Sequence, residues 1–137
     1  MCATFASISN IIIDDIILHT GVAHMGILGG AGIHALSGMR LWTKEKLGLV
    51  ASVGADFSNQ HIHKLKQMGV SLAGIYFREG NQTTRAWQII EADERRIEIM
   101  RADDISLPGY QPSIEEIPED FLAAQGFHLH LDDQLGL

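Results

Sequence analysis

Apolar residues in this chain fall in short runs separated by turn residues. The first run, TFASISNIIIDDIIL (residues 4–18), is rich in β-branched side chains and breaks at Asp14 and Asp15. It predicts one strand ending near Asn10 and a second leading away from the acidic pair. Adjacent carboxylates are costly to bury unpaired, so the pair belongs at a strand end or in a polar pocket. After Gly29 and Gly30, residues Ala31, Ala35, Gly38 and Trp42 recur at helical spacing. They predict a helix with one stripe narrow enough to lie close to a sheet. Leu47 to Val53 has the continuous apolar character of a buried strand. Ser58 then has the place of a helix N-cap, with Phe57 and Ile62 spaced as a hydrophobic staple. Ile62, Leu65 and Met68 continue the apolar face to a stop at Gly69.

SLAGIYF (71–77) is a further strand candidate. From Thr83 the pattern changes to two alternating segments, TTRAWQII and RIEIM, around the polar turn EADER, which predicts a hairpin with one wet face. RADDISLPGYQPS has loop chemistry, IEEIPEDFLAAQG holds a helix, and FHLHL is a last strand. The sum is an α/β domain: a mainly parallel sheet flanked by helices, with a small antiparallel β appendage.

Composition narrows the function classes. The 137 residues suffice for one domain with a sizeable core. Seventeen acidic against ten basic residues give a net charge of −7, which argues against a general nucleic-acid or anionic-membrane surface. A single cysteine, Cys2, forms no internal disulfide, and neither a membrane-length apolar segment nor a secretory signal pattern is present. The cytoplasm is the expected location.

The stretch GGAGIHALSG (29–38) admits two readings: a tight helix start, or a place where a ligand approaches the backbone closely. The order of NIIIDDIIL, GGAG, VASVGADF, LKQMGV and TTRAWQIIEADERRIEIM resembles the N-terminal half of the ribokinase-like, or PfkB-type, carbohydrate kinases, over nearly the whole chain. In that family the N-terminal half supplies the sugar site and a β lid, and the C-terminal half supplies the nucleotide site. The resemblance implies that Asp14 accepts hydrogen bonds from sugar hydroxyls. It implies too that Gly29, Gly30 and Gly32 let a hydroxylated substrate reach backbone donors. His34 stands where many members carry asparagine, and Asp132 is a weaker match to an acidic sugar ligand. The implied partner is a small-molecule sugar or nucleoside, and any self-association is expected as a homodimer through the lid or an exposed sheet edge.

The family's catalytic aspartate lies in a G-x-G-D motif near its C-terminus, and this sequence contains no such motif. The expectation is therefore a truncated domain over residues 1–137 with no catalytic residue of its own. ATP and Mg²⁺ belong to the complete family fold, and neither is expected to be bound by this chain alone. Two other readings stay open. One is a non-catalytic sugar-binding or regulatory module. The other is a metal-dependent hydrolase built on HLHLDD (128–133), where His128 and His130 would share one side of a strand and resemble part of a metallo-β-lactamase-type motif. The histidines at 61 and 63 are expected to be surface residues, and Arg85 an exposed strand arginine.

Overall fold

The computed structural model describes residues 2–101 and 112–130. Among these described residues, nine strands form two sheets and three α-helices accompany them. Sheet A contains β1 (Phe5–Ile8), β4 (Leu47–Gly54), β5 (Val70–Ser71), β6 (Ile75–Arg78) and β9 (Gly126–Leu129). Its order is β5–β4–β1–β9, with β6 also against β4, and every pair is parallel. The central strand β4, LGLVASVG, is buried along its whole length, as a parallel strand covered on both faces must be.

On one face, α1 (Ala31–Trp42) and α2 (Asn59–Gln67) pack Ile33, Leu36 and Leu65 against Leu47, Leu49, Ala51 and Val53. On the other, α3 (Glu119–Leu122) sets Phe121 against Ala3, Ala6 and Val50. The Ser58 cap forms, its Oγ accepting the His61 N–H, and Phe57 and Ile62 both join the larger core. Sheet B is the appendage, ordered β3–β2–β7–β8 with β2 (Ile12–Leu18), β3 (Ala23–Gly29), β7 (Arg85–Ile90) and β8 (Arg96–Met100). Its β2–β3 and β7–β8 pairs are antiparallel and its β2–β7 pair is parallel.

Asp14 and Asp15 lie in mid-strand, and of the two placements expected for them the polar surroundings are the one found, each carboxylate having polar partners on its own side of sheet B. Three other local expectations change. The small-residue stripe of α1 is not the buried one: Gly38 and Trp42 are exposed, while Gly32, Ile33 and Leu36 face the sheet. Burying the larger aliphatic side chains releases more free energy than burying the small ones. SLAGIYF is broken by a 3₁₀ turn over Leu72–Gly74 into β5 and β6, both still paired with β4. The hairpin strand β8 is exposed on both faces, so the expected dry side is absent there. Among the described residues no helix is long and apolar enough to cross a membrane.

Candidate functional site

Five of the six residues singled out in the sequence converge where β2, β3 and α1 meet. Asp14 is central in β2, Gly29 closes β3, Gly30 precedes α1, Gly32 is in its first turn and His34 follows, exposed. Asp132 lies outside the described residues.

Packing against backbone demands Gly30 and Gly32, and Gly29 is required for as long as the Asp14 carboxylate keeps its place. A Cβ built on Gly29 would lie 2.0 Å from Asp14 Oδ2. Gly30 has φ +93°, a left-handed conformation, and a Cβ there would stand 2.7 Å from the Ile12 nitrogen. At Gly32 it would meet the Asn10 carbonyl oxygen at 2.8 Å. The first donors of α1 are already engaged: Ala31 N–H donates to Asn10 Oδ1 at 2.9 Å and Gly32 N–H to the Asn10 carbonyl at 3.2 Å. Asn10 thus takes the capping role that Gly30 has no side chain to fill. The tight-turn reading of GGAG holds on these contacts, and what it leaves open beside the helix is the Asp14 carboxylate.

Asp14 is half-buried. Gln88 Nε2 donates to Asp14 Oδ1 at 3.1 Å and to Glu98 Oε1 at 2.8 Å. With both amide hydrogens facing carboxylates, the Gln88 orientation is fixed, and its Oε1 is buried with no partner among the described residues. Burial raises the Asp14 carboxyl above its ordinary range. The Gln88 hydrogen bond opposes that rise, the Glu98 charge adds to it, and His34 and Arg96 pull it back. The result is a surface of oxygen acceptors, suited to a ligand that brings hydroxyl donors.

The neighbouring carboxylate is built differently. Asp15 projects to the opposite face of sheet B and is completely buried. Arg85 grips it with Nε at 2.6 Å and Nη2 at 2.7 Å, Arg101 Nη1 donates to Oδ2, and Gly26 N–H donates to Oδ1 at 2.8 Å. The Arg85 fork, helped by Gly26 and Arg101 against the cost of burial, holds this carboxyl down at about 2. Gly26 sits opposite Asp15, where the β2–β3 register shifts between Asp14 and Ile16, and its φ is +68°. The bulge turns its N–H onto Asp15. Its carbonyl accepts from His61 Nε2 at 2.9 Å, while the Ser58 hydroxyl donates to His61 Nδ1 at 3.0 Å. His61 therefore fastens α2 to sheet B instead of standing free at the surface, while Arg85 is a partly exposed strand arginine, as the sequence predicts, whose guanidinium is bound to Asp15.

His128 Nδ1 lies 3.0 Å from the buried Ser7 Oγ, while His130 is exposed. Among the described residues no group of three or more His, Cys, Asp or Glu side chains converges to hold a metal ion. Asp133, like Asp132, lies outside those residues.

Asn10, Gln88 and Glu98 were not anticipated. The Gln88–Glu98 pair follows from hairpin register once the turn is centred between residues 91 and 95, since Gln88 stands opposite Glu98. Asn10 had no local signal beyond its place at the end of a strand.

No family model matches the chain. An uncharacterized protein of Schizosaccharomyces pombe is 37% identical over 79 residues, which cover 55% of this chain and 21% of that protein. Among solved structures, an E. coli protein assigned as ribokinase II, in its apo form, superposes with a TM-score of 0.75 at 21% identity, covering 93% of this chain and 43% of its own. Burkholderia thailandensis nucleoside kinase, in complex with inosine, gives 0.62 at 14% identity, covering 72% of this chain and 36% of its own. Arabidopsis thaliana ribokinase, complexed with ribose and ATP, gives 0.57 at 16% identity, covering 73% and 36%. The chain spans less than half the length of these kinases and about a fifth of the yeast protein. Over that span, with its parallel sheet A and its lid-like sheet B, it adopts a partial ribokinase-like fold.

Proposed function

We propose that this chain is the sugar-binding half of a ribokinase-like carbohydrate kinase, a domain over residues 1–137 that binds a sugar or nucleoside and does not consume ATP by itself. The observation that carries this reading is the Asp14 carboxylate, held beside Gly29 and hydrogen-bonded by Gln88 at the base of sheet B. An ionised carboxylate accepts hydrogen bonds through both oxygens, which suits the adjacent hydroxyls of a sugar ring. Gln88 orients one oxygen, and Glu98 adds a second acceptor at the rim. His34 stands within electrostatic reach of Asp14 and would contribute a further polar contact.

Phosphoryl transfer requires a positioned base and neutralisation of phosphate charge. In the complete fold ATP would supply the phosphoryl group and Mg²⁺ the charge neutralisation. The G-x-G-D motif that carries the family's base does not occur in this sequence, which supports reading the chain as the acceptor-binding part. What these residues do is bind and orient the acceptor.

The test is calorimetric titration of the chain with a panel of sugars and nucleosides, run beside an assay of ATP consumption. At least one ligand should bind, and Asp14→Asn should weaken it by about tenfold or more, as loss of a charge-assisted acceptor does. Unchanged affinity in Asp14→Asn would overturn the site, and sugar-dependent ATP turnover would overturn the view that catalysis lies outside this chain.

A further inference from the structure

The face of sheet B opposite Asp14 carries a second cluster that the sugar reading leaves unused. Asp15 is saturated: Oδ1 accepts from Gly26 and Arg85, and Oδ2 accepts from Arg85 and Arg101. One guanidinium would balance its charge, yet two are bound to it. Their side chains remain 40% and 36% exposed, and both line a cleft of about 510 Å³ together with Asp56, Thr83, Trp87 and Ile99. The bonds to Asp15 engage Nε and Nη2 of Arg85 and Nη1 of Arg101, so Arg85 Nη1 and the Nε and Nη2 of Arg101 are not used by that carboxylate. Arg101 is spread over the Trp87 ring, 4.4 Å from its centroid. Arginine side chains fixed in this way lose little further freedom when an oxyanion docks on them.

We propose that the Arg85–Arg101 pair forms a second ligand site, which takes the carboxylate group of a small monoanion. Asp56 sets the limit on charge. Its Oδ1 accepts from Thr83 N–H at 2.7 Å and Thr83 Oγ1 at 2.8 Å, and its carboxylate lines the same cleft. The four charged groups Asp15, Asp56, Arg85 and Arg101 sum to zero, so a single negative charge is tolerated better than the double charge of a phosphate monoester. A planar carboxylate also matches the flat edge of a guanidinium, and Trp87 and Ile99 offer apolar wall to the rest of the molecule. The site does not depend on sugar binding, because alternate residues of β2 place Asp15 and Asp14 on opposite faces.

Nuclear magnetic resonance of the arginine Nε–H groups and the Trp87 indole reads this site directly. Titration with sodium acetate, at ionic strength held constant with chloride, should give a saturable shift at Arg85, Arg101 and Trp87. Affinity should fall by about tenfold or more in Arg101→Lys, which keeps the charge and loses the fork, and should be unchanged in Asp14→Asn. Inorganic phosphate in a parallel titration should bind more weakly than acetate. The proposal fails if acetate produces no saturation beyond the chloride control up to about 50 mM, well above the millimolar affinity of a single ion pair. It fails equally if Arg101→Lys binds like the parent chain, or if phosphate binds as tightly as acetate.

Discussion

The carboxylate of Asp14 occupies the space that a side chain on Gly29 would need, with Oδ2 only 2.0 Å from where a Cβ would stand. The two residues are coupled: one can carry its acidic group in this place only while the other carries nothing. Gly29→Ala should therefore push the Asp14 carboxylate aside and copy the ligand-binding defect of Asp14→Asn, at a stability cost of about 1–3 kcal/mol for overpacking. Calorimetric titration of both variants checks this, and a Gly29→Ala protein with parental sugar affinity would break the link. Gly30→Ala should cost more, because the added methyl meets backbone at 2.7 Å and φ is +93°.

Asp15 predicts the acid limb of stability. Its carboxyl lies at about 2 in the fold against 3.8 ordinarily, so its contribution is present above pH 3.8 and lost as pH falls toward 2. Screening at the half-exposed arginines leaves about 1–2 kcal/mol. Chemical denaturation from pH 6 to pH 2 should show this loss in the parent chain and a flatter curve in Asp15→Asn. At neutral pH the same variant should be destabilised by about 3–5 kcal/mol, since two cations then lose their buried partner.

Asp14 has the opposite sign. Its folded carboxyl is raised chiefly by burial, so the protonated form is favoured and the stability it lends is lost as pH rises through the raised value. Asp14→Asn should accordingly be at least as stable as the parent at pH 7 while binding ligand less tightly, a trade expected where a group serves a ligand rather than the fold. Thermal melts and titrations on one preparation measure both quantities, and a marked loss of stability at pH 7 would contradict the assignment.

Arg40 is a brace. Its Nε donates to the Met68 carbonyl at 2.9 Å, and its Nη1 to the carbonyls of Thr43 and Glu45 at 3.0 Å each, tying the end of α1 to the end of α2. Arg40→Met keeps most of the apolar stem and removes these donors. It should lower stability by about 1–3 kcal/mol in denaturant titrations without altering ligand affinity.

Features set by nearby residues could be read from the sequence. The Ser58 cap, the stop at Gly69 and the β7–β8 hairpin each rest on a pattern a few residues long, and each appears in the fold. The place of GGAG at a helix start was equally plain. What stayed hidden depends on residues brought together from far along the chain. Asp15 meets Arg85 across 70 positions and Arg101 across 86, so the run IIDDIIL looked like a broken strand although it is a continuous one. His61 seemed a surface residue because its partner, the Gly26 carbonyl, lies in sheet B, 35 positions away, and presents itself only through a bulge. The buried face of α1 was misjudged for a different reason: spacing singled out the stripe Ala31, Ala35, Gly38 and Trp42, whereas the larger side chains of Ile33 and Leu36 are the ones buried.

The pairing of β1 with β9 bears on how the chain assembles. Ser7 and His128 face each other across 121 positions, whereas the other neighbour of β1, strand β4, begins at Leu47. One edge of β1 can be satisfied early, and the other must wait for the last described strand to be made. Closing so long a loop is entropically slow. During synthesis on the ribosome, the first strand of this protein would leave half of its backbone hydrogen-bonding groups to water until residues 126–129 had emerged.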